Sequence, residues 1–136
     1  MTVSMKIQAK VGGITHTVPH SKLDANTMMI GADVTHPPPQ RGGFAGTPQA
    51  SVAVTVAAIN GANNQFKECI RLQTGTQYVY PLSSLYLLIN REIISGMTEM
   101  VKTHLQTFMK NTNKKPEKIL MFRDGVSEGQ YGQVVQ

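Results

Sequence analysis

Asp33 closes the apolar run "TMMIGA", and Asp124 follows "ILMF" after a single arginine, so two strand-like stretches each end in a carboxylate. Alone, each aspartate suits a turn, because an Asp side chain there commonly accepts a hydrogen bond from its own backbone. Together they admit a second reading. If the two strands are neighbours, the carboxylates converge at one end of a sheet, and converged carboxylates hold hard divalent ions through oxygen. Two such ions about 3.5–4 Å apart can activate water and stabilise the leaving oxygen of a phosphodiester. The residues by themselves leave two possibilities: a pair of turns, or two halves of a Mg2+ or Mn2+ phosphodiesterase site.

A second group of candidates is cationic. "VSMKIQAK" (3–10) alternates Val3, Met5, Ile7 and Ala9 against Ser4, Lys6, Gln8 and Lys10, the period of a strand with both lysines on one face. Two ammonium groups on one face suit an anion such as a phosphate. They equally suit the exposed face of an edge strand. Lys110, Lys114, Lys115 and Lys118 form a later cluster that reads as a solvated loop before a strand.

The elements that must position these residues follow from periodicity. "TMMIGADVT" (27–35) reads as a strand buried on both faces and is closed by Pro37, Pro38 and Pro39. "PPPQRGGFAGTP" is a loop. "ASVAVTVAAI" (50–59) and "QFKECIRLQ" (65–73) read as hairpin partners across the Asn-Gly turn signal of "NGANN". From Glu92 the period becomes helical, with Ile93, Met97, Val101, Leu105 and Phe108 on one stripe that Ile94, Met100 and Met109 widen. The methionines are core filler, and His104 has no second histidine or cysteine at ligand spacing, so it reads as structural. Pro116 marks the return into "KILMF" (118–122), another buried strand. Ser127 and Gln130 then make a Ser-x-x-Gln box that starts a new helix near Val126 or Ser127. A run of strands followed by a crossover helix and a further strand describes an α/β layer with a mixed sheet.

Composition bounds the rest. One domain fits 136 residues, and 40% hydrophobic content with mixed charge belongs to a folded chain. A net charge of +5 favours an anionic partner without requiring nucleic acid. The single Cys69 excludes an internal disulfide and a thiolate zinc cage, and inside "FKECIRLQ" it reads as a half-buried structural thiol. The start of the chain has no signal-peptide pattern. The apolar "YVYPLSSLYLLI" (78–89) is broken by Pro81 and two serines and is too short to span a bilayer. No membrane is expected as a partner, and the expected location is cytoplasmic.

"IGADVTHP" and "FRDGVSEGQ" closely resemble the two most diagnostic motifs of the Piwi domain of Argonaute proteins. "MKIQAKVGGI" looks like the segment that opens that domain, and "REIISGMTEMV" like the start of its first long helix. The four matches fall in the family's order, and the resemblance is to a eukaryotic branch, fungal or general. It implies a ribonuclease H-like fold that binds a small guide RNA and, in active members, cuts the complementary target RNA in RNA-mediated gene silencing. In the family the cut uses an aspartate, a glutamate, a second aspartate, and a histidine or aspartate. Asp33 matches the first, Glu92 the glutamate and Asp124 the second aspartate, with Asp33 and Asp124 as metal ligands. Glu92 also suits the first turn of a helix. Lys6 and Lys10 match the lysines that help hold the guide 5′ phosphate. Mg2+ or Mn2+ is expected only in a complete domain.

On this reading residues 1–136 are a partial Piwi domain: 1–26 an opening strand and loop that follow a missing Mid domain, 27–73 the sheet strands, 74–91 an atypical insert, and 92–136 a helix, a strand and the start of the next helix. The fourth catalytic residue falls beyond "RDGVSEGQ". The insert lengthens a βα connection by about fifteen residues over the usual 2–6. It is expected to be a retained intron or a gene-model error, the alternative being a true family-specific lid. Three functions stay open: a fragment of a guide-directed endoribonuclease, a guide-binding Argonaute relative that does not cut, and a truncated product without independent activity.

Overall fold

The computed structural model describes residues 2–17, 26–36, 50–73 and 93–135. The loop over 37–48, the insert over 74–91 and Glu92 lie outside the described residues. Four strands, β1 (Thr27–Thr35), β2 (Ser51–Ala58), β3 (Phe66–Gln73) and β4 (Lys118–Arg123), form one sheet in the order β3-β2-β1-β4. β1 pairs antiparallel with β2, β2 antiparallel with β3, and β1 parallel with β4. The helices are α1 (Val3–Lys10), α2 (Met97–Thr112) and α3 (Tyr131–Val134), the last preceded by a 3-10 turn (Glu128–Gln130).

Topology follows from connection length. The short turn between β2 and β3 permits only an antiparallel pair. Within it Asn63 takes the left-handed region (φ 50°), which asparagine tolerates, and the Ile59 N–H donates to the Gln65 carbonyl at 3.0 Å. β4 reaches the far side of β1 through the helical crossover of α2, so it can run parallel to β1. β1, β3 and β4 therefore all end at the same edge of the sheet.

The core lies between α2 and one face of the sheet. On β1, Met28, Ile30, Ala32 and Val34 are buried, and on β2 Ala53, Thr55 and Ala57. The alanines leave room for α2 to approach and lay Met100, His104 and Phe108 onto them at i, i+4, i+8 spacing. Burying side chains the size of Met28, Met100 and Phe108 stabilises by about 1.5–3 kcal/mol each. α2 stops where Asn113 turns left-handed (φ 55°) and donates its N–H to the Met109 carbonyl at 2.8 Å. The box after β4 forms, with the Ser127 N–H and Oγ both bonded to Gln130 Oε1, at 3.1 and 2.9 Å.

Three expectations are corrected. The opening segment "VSMKIQAK" is a helix, not a strand. Among the described residues no strand pairs with it and none of its residues is buried, so the helix preference of Met, Lys, Gln and Ala decides. Gly12, at φ +90°, ends the helix, and a Cβ on Gly13 would sit 2.6 Å from Gln8 Cγ. β1 is buried on one face rather than two: Gly31 is partly exposed, and Asp33 and Thr35 are exposed. β4 is an edge strand whose Ile119, Leu120, Met121 and Phe122 are all exposed among the described residues, because α2 packs over β2 and β3 instead.

Candidate functional site

The parallel register sets Ala32 beside Arg123 and Gly31 beside Phe122. The Asp124 N–H continues the ladder by donating to the Ala32 carbonyl at 3.1 Å. Asp33 and Asp124 thus stand at the carboxyl ends of adjacent parallel strands, where ligands collect in α/β sheets. Both line one depression of about 260 Å³ with Gly31, Ala32, Val54, Val56 and Phe122. It opens on the sheet face away from α2. Gly31 forms its floor, and an added Cβ there would meet nothing nearer than the Val56 carbonyl at 4.0 Å.

Local bonds aim the carboxylates. Asp33 Oδ1 accepts the Val34 N–H at 2.8 Å, and Asp124 Oδ1 accepts the Gly125 N–H at 2.8 Å. Gly125 has φ +76°, the left-handed turn that lets the chain leave β4 sharply. The turn reading and the shared-site reading of each aspartate are therefore compatible. Asp33 does not point into the core: its side chain is 55% exposed on the open face.

Arg123 is a member of the site that sequence reasoning missed, although its place between the apolar run and Asp124 was a signal. Its side chain is only 10% exposed, and Nη1 donates to the carbonyls of Ala32 (3.4 Å) and Asp124. The same Nη1 lies 3.8 Å from Asp33 Oδ1. With Asp33 so exposed, that ion pair is worth about 0–1 kcal/mol. Its clearer effect is to put a positive charge beside the Asp33 carboxylate at the edge where Asp124 also stands. His36 Nδ1 and Ser51 Oγ, 2.8 Å apart, tie the end of β1 to the start of β2.

Glu92 lies outside the described residues, but the chain just after it is held at the same edge. The Gln73 side chain donates to the Ile93 carbonyl at 2.9 Å and accepts the Ser95 N–H at 3.2 Å. Ile94 packs with Ala32, Val34, Ala53 and Met100. Cys69 is a free, partly buried thiol against that cluster.

Lys6 and Lys10 lie one helical turn apart, so they share a face of α1 as they would have shared a strand face. The segment carrying them is tied to the other end of the sheet: Gln65 Nε2 donates to the Gly12 carbonyl at 2.7 Å, beside the start of β1. From Thr27 to Asp33 the strand runs about 20 Å, so the lysine helix is anchored away from the carboxylates.

Two carboxylates on neighbouring parallel strands suit a hard cation, which accepts one or two protein carboxylates together with substrate phosphate oxygens. Among the described residues no group of three or more His, Cys, Asp or Glu could hold a metal. No described helix is long and apolar enough to cross a membrane.

A mixed sheet with a crossover helix and acidic strand ends is a ribonuclease H-like α/β fold. The Piwi domain family matches residues 1–136, and the chain belongs to that family. Three solved structures are similar over 98% of the chain, each with a TM-score of 0.68. Kluyveromyces polysporus Argonaute with a guide RNA is 28% identical, with 14% of its chain covered. The MID-PIWI domains of Neurospora crassa QDE-2 Argonaute are 27% identical, with 34% covered. The C-terminal lobe of a budding yeast Argonaute is 28% identical, with 24% covered. The chain thus spans between about a seventh and a third of the structures it resembles, and it is part of an Argonaute Piwi domain.

Proposed function

We propose that this chain supplies the nuclease sheet of a guide-directed, metal-dependent endoribonuclease, in which Asp33, Asp124 and Glu92 serve the cut and Lys6 and Lys10 help hold the 5′ phosphate of a small guide RNA. One observation carries the reading: Asp33 and Asp124 line a single open depression at the carboxyl ends of β1 and β4. The Kluyveromyces Argonaute was solved with a guide RNA, which supports a guide as the ligand here.

Asp33 and Asp124 are the residues that would hold Mg2+ or Mn2+. When bound, such an ion supplies an activated water and charge stabilisation at the leaving oxygen. The chain's own residues do the positioning. The Val34 and Gly125 amides orient the carboxylates, and Arg123 places a positive charge beside Asp33. Phe122, Val54 and Val56 form apolar walls beside them. The open face leaves room for a paired strand of RNA, whose sequence would be chosen by base pairing with the guide, not by side chains.

Mn2+ binding to a protein that joins this chain to the remaining Argonaute segments, followed by electron paramagnetic resonance, tests the metal assignment. Asp33→Ala and Asp124→Ala should each weaken binding by at least about tenfold, the scale of losing one ligand. Undiminished binding by both variants refutes it. Guided, Mg2+-dependent cleavage by a protein joining this chain to the remaining Argonaute segments, abolished by either substitution, separates a cutting protein from one that only binds guides.

A further inference from the structure

The turn between β2 and β3 carries a cluster of side-chain amides, Asn60, Asn63, Asn64 and Gln65, with bonds in two directions. Toward the sheet, Asn63 Nδ2 donates to the Thr27 carbonyl at 3.0 Å and Asn63 Oδ1 accepts the Met29 N–H at 3.2 Å. The amide thereby takes the place of a strand backbone just beyond Ile30 and Ala57, where the pairing of β1 with β2 stops. Toward the α1 segment, Gln65 Nε2 donates to the Gly12 carbonyl at 2.7 Å. Asn64 Nδ2 lies 3.3 Å from both the His16 carbonyl and Thr17 Oγ1.

Asn60 sets the orientation of the outer two. Its Nδ2 donates to Asn64 Oδ1 at 2.7 Å and to Gln65 Oε1 at 3.2 Å. With both oxygens occupied from behind, both amide NH2 groups face the carbonyls of the chain that leaves α1. α1 itself buries no residue. Among the described residues, these amides tie the segment that follows α1 to the hairpin turn.

We propose that the amide cluster of residues 60–65 is a positioning device that fixes the helix carrying Lys6 and Lys10 against the start of β1, and that Asn64 and Gln65 are its positioning residues. The inference rests on the reading of Lys6 and Lys10 as guide 5′-phosphate ligands. A phosphate held by two ammonium groups one helical turn apart needs that helix held still, because charge-assisted bonds weaken steeply with misplacement. Asn64 and Gln65 act through α1 and would not themselves touch the RNA.

The test is the affinity of the 136-residue chain for one short RNA bearing either a 5′ phosphate or a 5′ hydroxyl, by fluorescence anisotropy. The double variant Asn64→Ala with Gln65→Ala should lower the phosphate-to-hydroxyl ratio toward that of Lys6→Ala with Lys10→Ala, a loss on the order of tenfold. Affinity for the 5′-hydroxyl RNA and the thermal midpoint should stay close to native, because the deleted groups lie outside the core. Gln65→Glu, which keeps the length and removes the donor to Gly12, should likewise lower the ratio. An unchanged ratio in the Asn64 and Gln65 variants, with the lysine variants abolishing it, overturns the positioning role alone. A fall in thermal midpoint with equal weakening of both RNAs also overturns it. If the native chain does not distinguish the two RNAs, or the lysine variants leave the ratio intact, the lysine reading fails and this proposal fails with it.

Discussion

Thr55 Oγ1 and His104 Nε2 share a hydrogen bond of 2.8 Å at the centre of the interface between β2 and α2. His104 is 2% exposed, between Met100 and Phe108 on its helix. On one side lies the cluster of Ala32, Val34, Ala53, Ile94 and Met100, and on the other Met28, Ile30, Ala57 and Phe108. The pair fixes the register of the helix on the sheet in a way that apolar contacts alone do not.

That burial makes stability depend on pH. Desolvation pushes the His104 pKa below its ordinary 6.5, opposed by the Thr55 backbone and by Glu68 and aided by Lys67. The unfolded chain therefore binds a proton more readily than the folded one. The contribution is fully present above pH 6.5 and is lost as pH falls from there through the folded value. Urea unfolding between pH 7.5 and 5 should show this decline, and His104→Gln should flatten the part of the slope near pH 6. An identical slope in the variant would show that other groups carry it.

Gly31 tests whether the depression matters. Alanine fits, since its Cβ meets only the Val56 carbonyl at 4.0 Å, and removing a strand glycine should leave stability equal or raise it by about 0.5–1 kcal/mol. Gly31→Leu should fold yet fill the space between Val56 and Phe122. Mn2+ affinity is then expected to fall for leucine and to hold for alanine.

Phe108 and Met100 anchor α2. Phe108→Ala should cost about 3–5 kcal/mol and Met100→Ala about 2–5 kcal/mol, because each leaves a cavity against small residues that cannot close it. Denaturant titration of the two variants against the native chain measures both. A loss under 1 kcal/mol in either would contradict this packing.

β4 carries an association hazard. Its four central residues are apolar and exposed, and its outer edge is unpaired among the described residues. Leu120→Lys adds a charge on the open face without entering the α2 interface, and charges on edge strands block edge-to-edge pairing. Light scattering of concentrated samples should show less association for the variant than for the native chain.

Much of the fold was legible because its signals are local. The bounds of β1, 27–35, were set by an apolar run ending before three prolines, and α2 was announced by a stripe of period 3.6, although the helix begins at Met97 and not at Ile93. The β2–β3 hairpin was announced by Asn60 and Gly61. Residues 3–10 misled because Val3 and Ile7, like Lys6 and Lys10, recur at both helical and strand spacing. Over eight residues periodicity cannot choose between the two, and with no strand beside the segment among the described residues the helix preference of Met, Lys, Gln and Ala decides.

What the amino-acid order determined by itself was the chemistry available: two acids at strand ends, two lysines on one face, a histidine on an apolar stripe. What only the tertiary structure decided was adjacency. Asp33 and Asp124 are ninety-one positions apart in the chain and meet because β4 crosses over to pair parallel with β1. Arg123 joins them because that register carries its guanidinium past Ala32. The buried face of β1 is the one α2 covers, so Asp33 is turned outward to a depression instead of inward to the core. Strand pairing and the side on which a helix packs are long-range choices, made by total burial and connection length, and no local pattern in either strand encodes them.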